Sequence, residues 1–239
     1  MAYFKKFPSS LYMFANGEEG VMQNLASYAE ILDDVKTNGA FYKDYYIRNG
    51  DRADNVAFNL YANPRLHWTF YLMNDHLREQ GWPLDHVDIV EKAKTDFPHY
   101  TVTTEEDIAN IFQVGDSVLG YTSNAEGTIV SRNLDLGQLV IKITNNVSFQ
   151  VGELLKLVGS PNQVVLSGAS PEYLAARHYL QNDEIVTNVE DLVDDGTAVE
   201  VTNLEFYIRE NDKLRQIVVL KPSSVNKVVR LFNEAIGDQ

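Results

Sequence analysis

The stretch Phe112–Val118, FQVGDSV, returns 37 positions later as Phe149–Leu155, FQVGELL. Each copy sets a Phe, then a Gly able to take positive φ, then an acid ahead of an apolar run. That order predicts the same tight turn made twice, each time delivering a strand. Around the copies the chain is rich in Val, Ile and Leu, is punctuated by Gly, and shows no helical period. SVLGY, TIVSRN, QLVIKIT, ELLKLV and QVVL read as short strands separated by SNAEG, LDLG, NN and GSPN. Pairing of the two copies predicts a small antiparallel β-barrel over residues 108–168, closed so that its edges are hidden.

The flanks read differently. Gln23–Asp34 places Leu25, Tyr28, Ala29 and Leu32 on one helical face, and Asn38-Gly39 stops it. Asp51 is expected to cap a helix running to Asn59 or Leu60, with Ala53, Val56, Ala57 and Leu60 facing inward. Asn63 and Pro64 suit the cap and first turn of a second helix, running to about Asn74, with Gly81, Pro83 and a loop beyond. Near the end, LEFYIRENDKL reads as a polar helix or turn and Gln216–Leu220 as a strand. A last helix, capped by Ser223 or Ser224, carries the stripe Val225, Val228, Val229, Phe232 and Ile236 and stops at Gly237. The expected class is therefore α+β: a discontinuous, mainly helical or mixed domain, residues 1–107 and 169–239, with the small antiparallel barrel inserted.

Composition narrows the chemistry. The 239 residues suffice for a sizeable core, and the chain holds no Cys, which excludes disulfides, thiolate metal sites and cysteine nucleophiles. Its net charge is −14 and none of its three segments is basic, so neither nucleic acid nor an anionic membrane is an expected partner. No apolar run approaches the roughly 18–20 residues that span a bilayer. The five histidines, His67, His76, His86, His99 and His178, do not form a zinc-protease pair. Nucleophile-elbow and phosphate-loop motifs are absent, and Asp191, Asp194, Asp195 and Glu200 lack the ligand order of a calcium loop. No catalytic residue, metal or cofactor is expected.

What stands out instead is Asn59–Asp75, NLYANPRLHWTFYLMND. Trp and Tyr bring rigid area with a polar tip, and Arg65 and Arg78 add planar donors, the composition of interface centres. Leu60, Leu66, Phe70 and Met73 also suit a core, so the segment serves both ends, and the sequence does not divide them.

Tyr45–Asp75 resembles the N-terminal signature of the T4-type baseplate wedge family called protein 53. The matching residues are Tyr45, Tyr46, Ile47, Gly50, Asp51, Arg52, Tyr61, Asn63, Pro64, His67, Trp68, Asn74 and Asp75. The likeness resumes at Asn211, Lys213, Arg215 and Ile217, ahead of the terminal helix, with a fainter match at Ala176–Val186. Ala53 stands where the family often has Pro, and the repeat-bearing module resembles β-repeats of assorted phage structural proteins.

The resemblance implies a non-enzymatic part of a contractile-tail baseplate wedge, located in the virion and assembled in the host cytoplasm. Six copies would join wedges around the central hub, with other wedge proteins and the sheath initiator as partners. With Arg65, read from its planar donor group, and Phe232, read from the stripe of the last helix, the expected interface residues are Tyr45, Tyr46, Arg52, Tyr61, Arg65, His67, Trp68, Asn74, Asp75, Lys213, Arg215 and Phe232. An alternative is a carbohydrate- or peptide-binding tail module acting through the barrel, although Tyr121 is its only Tyr and it holds no Trp. A cell-wall hydrolase rests only on scattered carboxylates and histidines.

Overall fold

The computed structural model describes residues 9–23 and 39–237. The first elements are β1 (Ser9–Met13), β2 (Glu19–Gln23), β3 (Tyr42–Tyr46), α1 (Ala53–Tyr61), α2 (Trp68–Met73) and α3 (Asp75–Gln80). Next come α4 (His86–Asp96), β4 (Tyr100–Thr103), β5 (Ser117–Gly120), β6 (Glu126–Asn133), β7 (Gln138–Ile143) and β8 (Leu154–Leu157). They are followed by β9 (Gln163–Val165), β10 (Gly168–Pro171), β11 (Ala176–Gln181), β12 (Glu184–Val186) and β13 (Val199–Thr202). The last are α5 (Asn203–Lys213), β14 (Gln216–Leu220) and α6 (Val225–Gly237). Two compact units divide the chain: residues 1–84 with 212–239, and residues 85–211.

The second unit is organised by the repeat. In both copies the acid closes the turn by accepting a backbone N–H three residues back. Gln113 N–H donates to Asp116 Oδ2 and Gln150 N–H to Glu153 Oε1, both at 2.7 Å. Gly115 and Gly152 take φ +95° and +84°, conformations that a side chain resists, and their N–H groups donate to Ile129 and Leu166. Phe112 and Phe149 are both buried. The hairpin β5–β6 and the ladder β8–β9 have equivalent registers, Val118↔Gly127 matching Leu155↔Val164. β5 and β8 pair antiparallel with Leu119 opposite Lys156, themselves 37 positions apart. A local two-fold axis therefore passes through that pair.

The copies pair as expected, but they do not close a barrel. The sheet is open and seven-stranded, in the order β10-β4-β7-β6-β5-β8-β9, and extends beyond 108–168 through β4 and β10. At the bend after β9, Leu166 N–H still donates to Glu153 O, whereas Ser167 N–H donates to Thr103 O. The chain changes partners there, so β9 keeps only β8, β10 keeps only β4, and no ladder joins the edges. Nor is the fold mainly helical: among the described residues helix takes about 30% and strand about 31%. Strands such as Tyr100–Thr103 and Ala176–Gln181 are too short to display a period in the sequence.

In the first unit β3 and β14 form a two-stranded antiparallel sheet, with Ile217 opposite Tyr45. Ile47, Val56, Ala57, Phe70, Leu77, Ile217 and Val219 pack together as its core. Met73, Leu220, Val225 and Val228 form a second cluster, seating α6 by the stripe read from the sequence; Ile236 lies outside the described side chains. The helix expected over Gln23–Asp34 falls, apart from Gln23 in β2, outside the described residues. Asp51 does not cap α1. Its carboxylate accepts the Arg48 N–H at 3.2 Å and closes the preceding turn, leaving Arg52 at the cap position. Asn63 does cap, accepting from Arg65 N–H, but the helix it opens is a single 3-10 turn, Pro64–Leu66. The expected helix to Asn74 is thus divided, and α3 and α4 occupy stretches where a loop was read.

Glu153 gives the second unit a buried carboxylate hub. It is 4% exposed and accepts from Thr122 N–H, Ser123 N–H, Ser123 Oγ–H and Gln150 N–H. Burial pushes its pKa up, but those hydrogen bonds outweigh burial and leave it below the ordinary glutamate value. A Cβ on Gly120 would sit 2.7 Å from Glu153 Oε1, so glycine there makes room for the hub. Glu153→Gln turns an amide N–H toward donors and should cost about 2–3 kcal/mol in urea unfolding, against under about 1 for Asp116→Asn. Because the folded pKa is depressed, the carboxylate's contribution is full above about 4.5, the ordinary value, and is lost as pH falls below it. Equal losses for the two variants, or the same acid sensitivity in Glu153→Gln, would contradict this role.

Candidate functional site

β14 fixes where the signature residues of the first unit lie. Ile47 N–H donates to Arg215 O and Lys221 N–H to Phe41 O, which sets the phase of the ladder with β3. Val218 therefore turns its N–H and C=O away from β3. Both groups are met by one side chain: Val218 N–H donates to Asn74 Oδ1, and Asn74 Nδ2 donates to Val218 O, each at 2.8 Å. The same Nδ2 donates to Phe70 O. A carboxamide presents a donor and an acceptor side by side, as a backbone strand does. Asn74 stands in extended conformation between α2 and α3, and this is why the helix breaks there. Further along the same edge Tyr61 OH donates to Leu220 O at 3.0 Å, and burial pushes its phenol pKa up to about 12.

Arg215 is buried and gathers three segments. Its guanidinium contacts Asp212 Oδ1 at 2.8 Å, Asn49 Oδ1 at 3.2 Å and Leu84 O at 3.0 Å. Trp68 stacks at a tilt on buried Phe232 of α6, with ring centroids 5.2 Å apart. Tyr45 is half-buried against the core. Of the expected interface residues, then, Tyr45, Tyr61, Trp68, Asn74, Arg215 and Phe232 build the unit.

The other six face solvent. Tyr46 is 61% exposed. Arg52 pairs with Asp54 at 3.2 Å and Asp75 with Arg78 at 2.7 Å. His67 donates from Nδ1 to Pro64 O at 2.9 Å, while Arg65 and Lys213 are exposed. Surface ion pairs of this kind contribute little to stability.

Sequence reasoning passed over Trp82, whose Nε1–H donates to Asp51 O at 2.7 Å and whose ring packs on Phe70 and Tyr71. It also passed over the β1–β2 hairpin, although Asn16-Gly17 between two apolar runs is a hairpin signal. Among the described residues no group of three His, Asp or Glu side chains could hold a metal ion, and no helix is long and apolar enough to cross a membrane. Compared with known proteins, the chain matches no family model and no curated sequence.

Replacing Asn74 by Ala strands the Val218 N–H and C=O, and should cost about 2–4 kcal/mol in chemical denaturation. Asn74→Asp should do no better, since it sets a carboxylate against the Val218 and Phe70 carbonyls. Arg65→Ala should stay within about 0.5 kcal/mol of the parent. An Asn74→Ala chain as stable as the Arg65→Ala chain would refute the edge-closing role.

Proposed function

We propose that the chain is a non-enzymatic structural subunit of a contractile phage-tail baseplate wedge, working through protein–protein contacts. The reading starts from the residues of Tyr45–Asp75 and Asn211–Ile217 that resemble the protein 53 family. One observation carries it further. These stretches lie far apart in the chain, yet β3 pairs with β14, Asn74 bonds Val218 and Arg215 bonds Asn49. That the two halves of the signature hold each other supports reading them as one inherited element. On this reading six copies join wedges around the hub, beside other wedge proteins and the sheath initiator, in the virion tail after assembly in the host cytoplasm. No cofactor, nucleic acid or membrane takes part.

The exposed members of the signature are the natural contact points. Co-expression of the tagged chain with the other wedge proteins of its genome should yield a complex that survives gel filtration. Its stoichiometry is read by light scattering. The combined substitutions Tyr46→Ala, Arg65→Ala and His67→Ala, all at exposed positions, should weaken that complex about tenfold or more while leaving unfolding unchanged. With a net charge of −14, contacts to basic partner patches should loosen as salt rises. A folded chain that ignores every wedge protein would overturn the proposal.

A further inference from the structure

The two strands of the β3–β14 sheet treat their outer edges in opposite ways. That of β14 is closed by Asn74 and Tyr61. That of β3 is not. The ladder phase turns the N–H and C=O of Tyr42, Asp44 and Tyr46 outward, and among the described residues these groups meet no partner. An open edge with a row of unmet backbone groups is a template for another strand.

The same chain displays a strand pair that lacks a sheet. In β1–β2 every β1 residue is exposed, and the two faces are both apolar. Leu11 and Val21, directly opposite, are 66% and 73% exposed, with Met13 beside Leu11 on the same face. The other face carries Met22, Tyr12 and Phe14, the last two edge-on at 5.2 Å with Phe14 laid over Gly20. A hairpin with one apolar face needs one cover; this one needs two. Two-stranded ladders alone are marginal in water, and three or more strands are needed for independent stability.

We infer that the β1–β2 hairpin of one copy adds to the open β3 edge of a second copy, making a four-stranded sheet across the contact. Three features single out a second copy. The chain itself supplies both the open edge and the strand pair that lacks a sheet, and all three strands are five residues long. Antiparallel addition of β2 brings the acidic hairpin turn, Glu18 and Glu19, to the end of β3 that carries exposed Arg48. The contact joins two different surfaces, so it is head-to-tail and builds a ring or a chain of copies, or a dimer if two copies exchange hairpins. The inference stands on this chain alone and does not rest on the baseplate reading.

The absence of native Cys makes the test direct. Chains bearing Val21→Cys and chains bearing Asp44→Cys are mixed and oxidised, with a mixture of Val21→Cys and Val87→Cys chains as control. The first mixture should give an interchain disulfide about tenfold faster than the control. Light scattering of the parent should show mass rising with concentration, and more so in higher salt, because each copy carries −14 and salt screens their repulsion. Asp44→Pro removes only an outward N–H, and Leu11→Lys with Val21→Lys alters only exposed side chains, so both should fold and both should stay monomeric. A parent that is monomeric at every concentration overturns the inference. So does association that survives the hairpin variant, or cross-linking no faster than the control. Failure of the wedge-protein pull-down would leave these outcomes untouched, which keeps the two proposals separable.

Discussion

The carboxamide of Asn74, set against the backbone of Val218, is the contact on which the first unit depends. It takes the place of a third strand, and so lets a two-stranded sheet keep one flank beside helices instead of more sheet. The break between α2 and α3 falls at this residue, whose extended backbone sets its amide against the strand edge. Phe70 and Leu77, on either side of that break, then both reach the core that Ile217 and Val219 complete. Arg215 supports the arrangement from the other end, holding Asn49 and the Leu84 carbonyl to the segment that leads into β14.

The second unit uses a more local device. Each FQVG turn is specified by four neighbouring residues: a buried ring, a donor, a glycine and an acid. The two copies differ in how far the acid reaches. Asp116 closes its own turn, whereas the longer Glu153 also collects Thr122 and Ser123. The pseudo-symmetry is therefore broken by one methylene, and the longer side chain joins the two hairpins that the shorter one leaves separate.

This locality explains what could be read from the sequence. The strands around both FQVG copies, the strand at Gln216–Leu220 and the stripe of α6 depend on near neighbours, and each was legible. Closure of the sheet was not, because the change of partners at Leu166–Ser167 is decided by Thr103, far away in the chain. Asp51 looked like a helix cap because an Asp can close the preceding turn on Arg48 N–H as readily as cap the next helix, and nothing nearby reveals that Trp82 takes its carbonyl. At the candidate site the composition singled out a segment and could not sort its side chains into core and surface. Trp68 and Arg215 look like interface residues by type, yet one lies on Phe232 and the other is enclosed by three backbone segments. Tyr46 and His67, no more conspicuous, are the ones left outside.

That residues 85–211 are encoded between the two strands of the first unit bears on how the chain is made. β3 must wait for β14, roughly 170 residues later, so the loop it closes is long and its contact order high. On the ribosome residues 85–211 emerge complete while Ile47, Val56 and Phe70 still lack Ile217 and Val219. The unit encoded in the middle is thus free to fold first, and the unit that begins the chain is sealed last. Until then its apolar side chains stay uncovered, and a chain that stops before Gln216 holds every residue of the second unit but lacks the strand that completes the first.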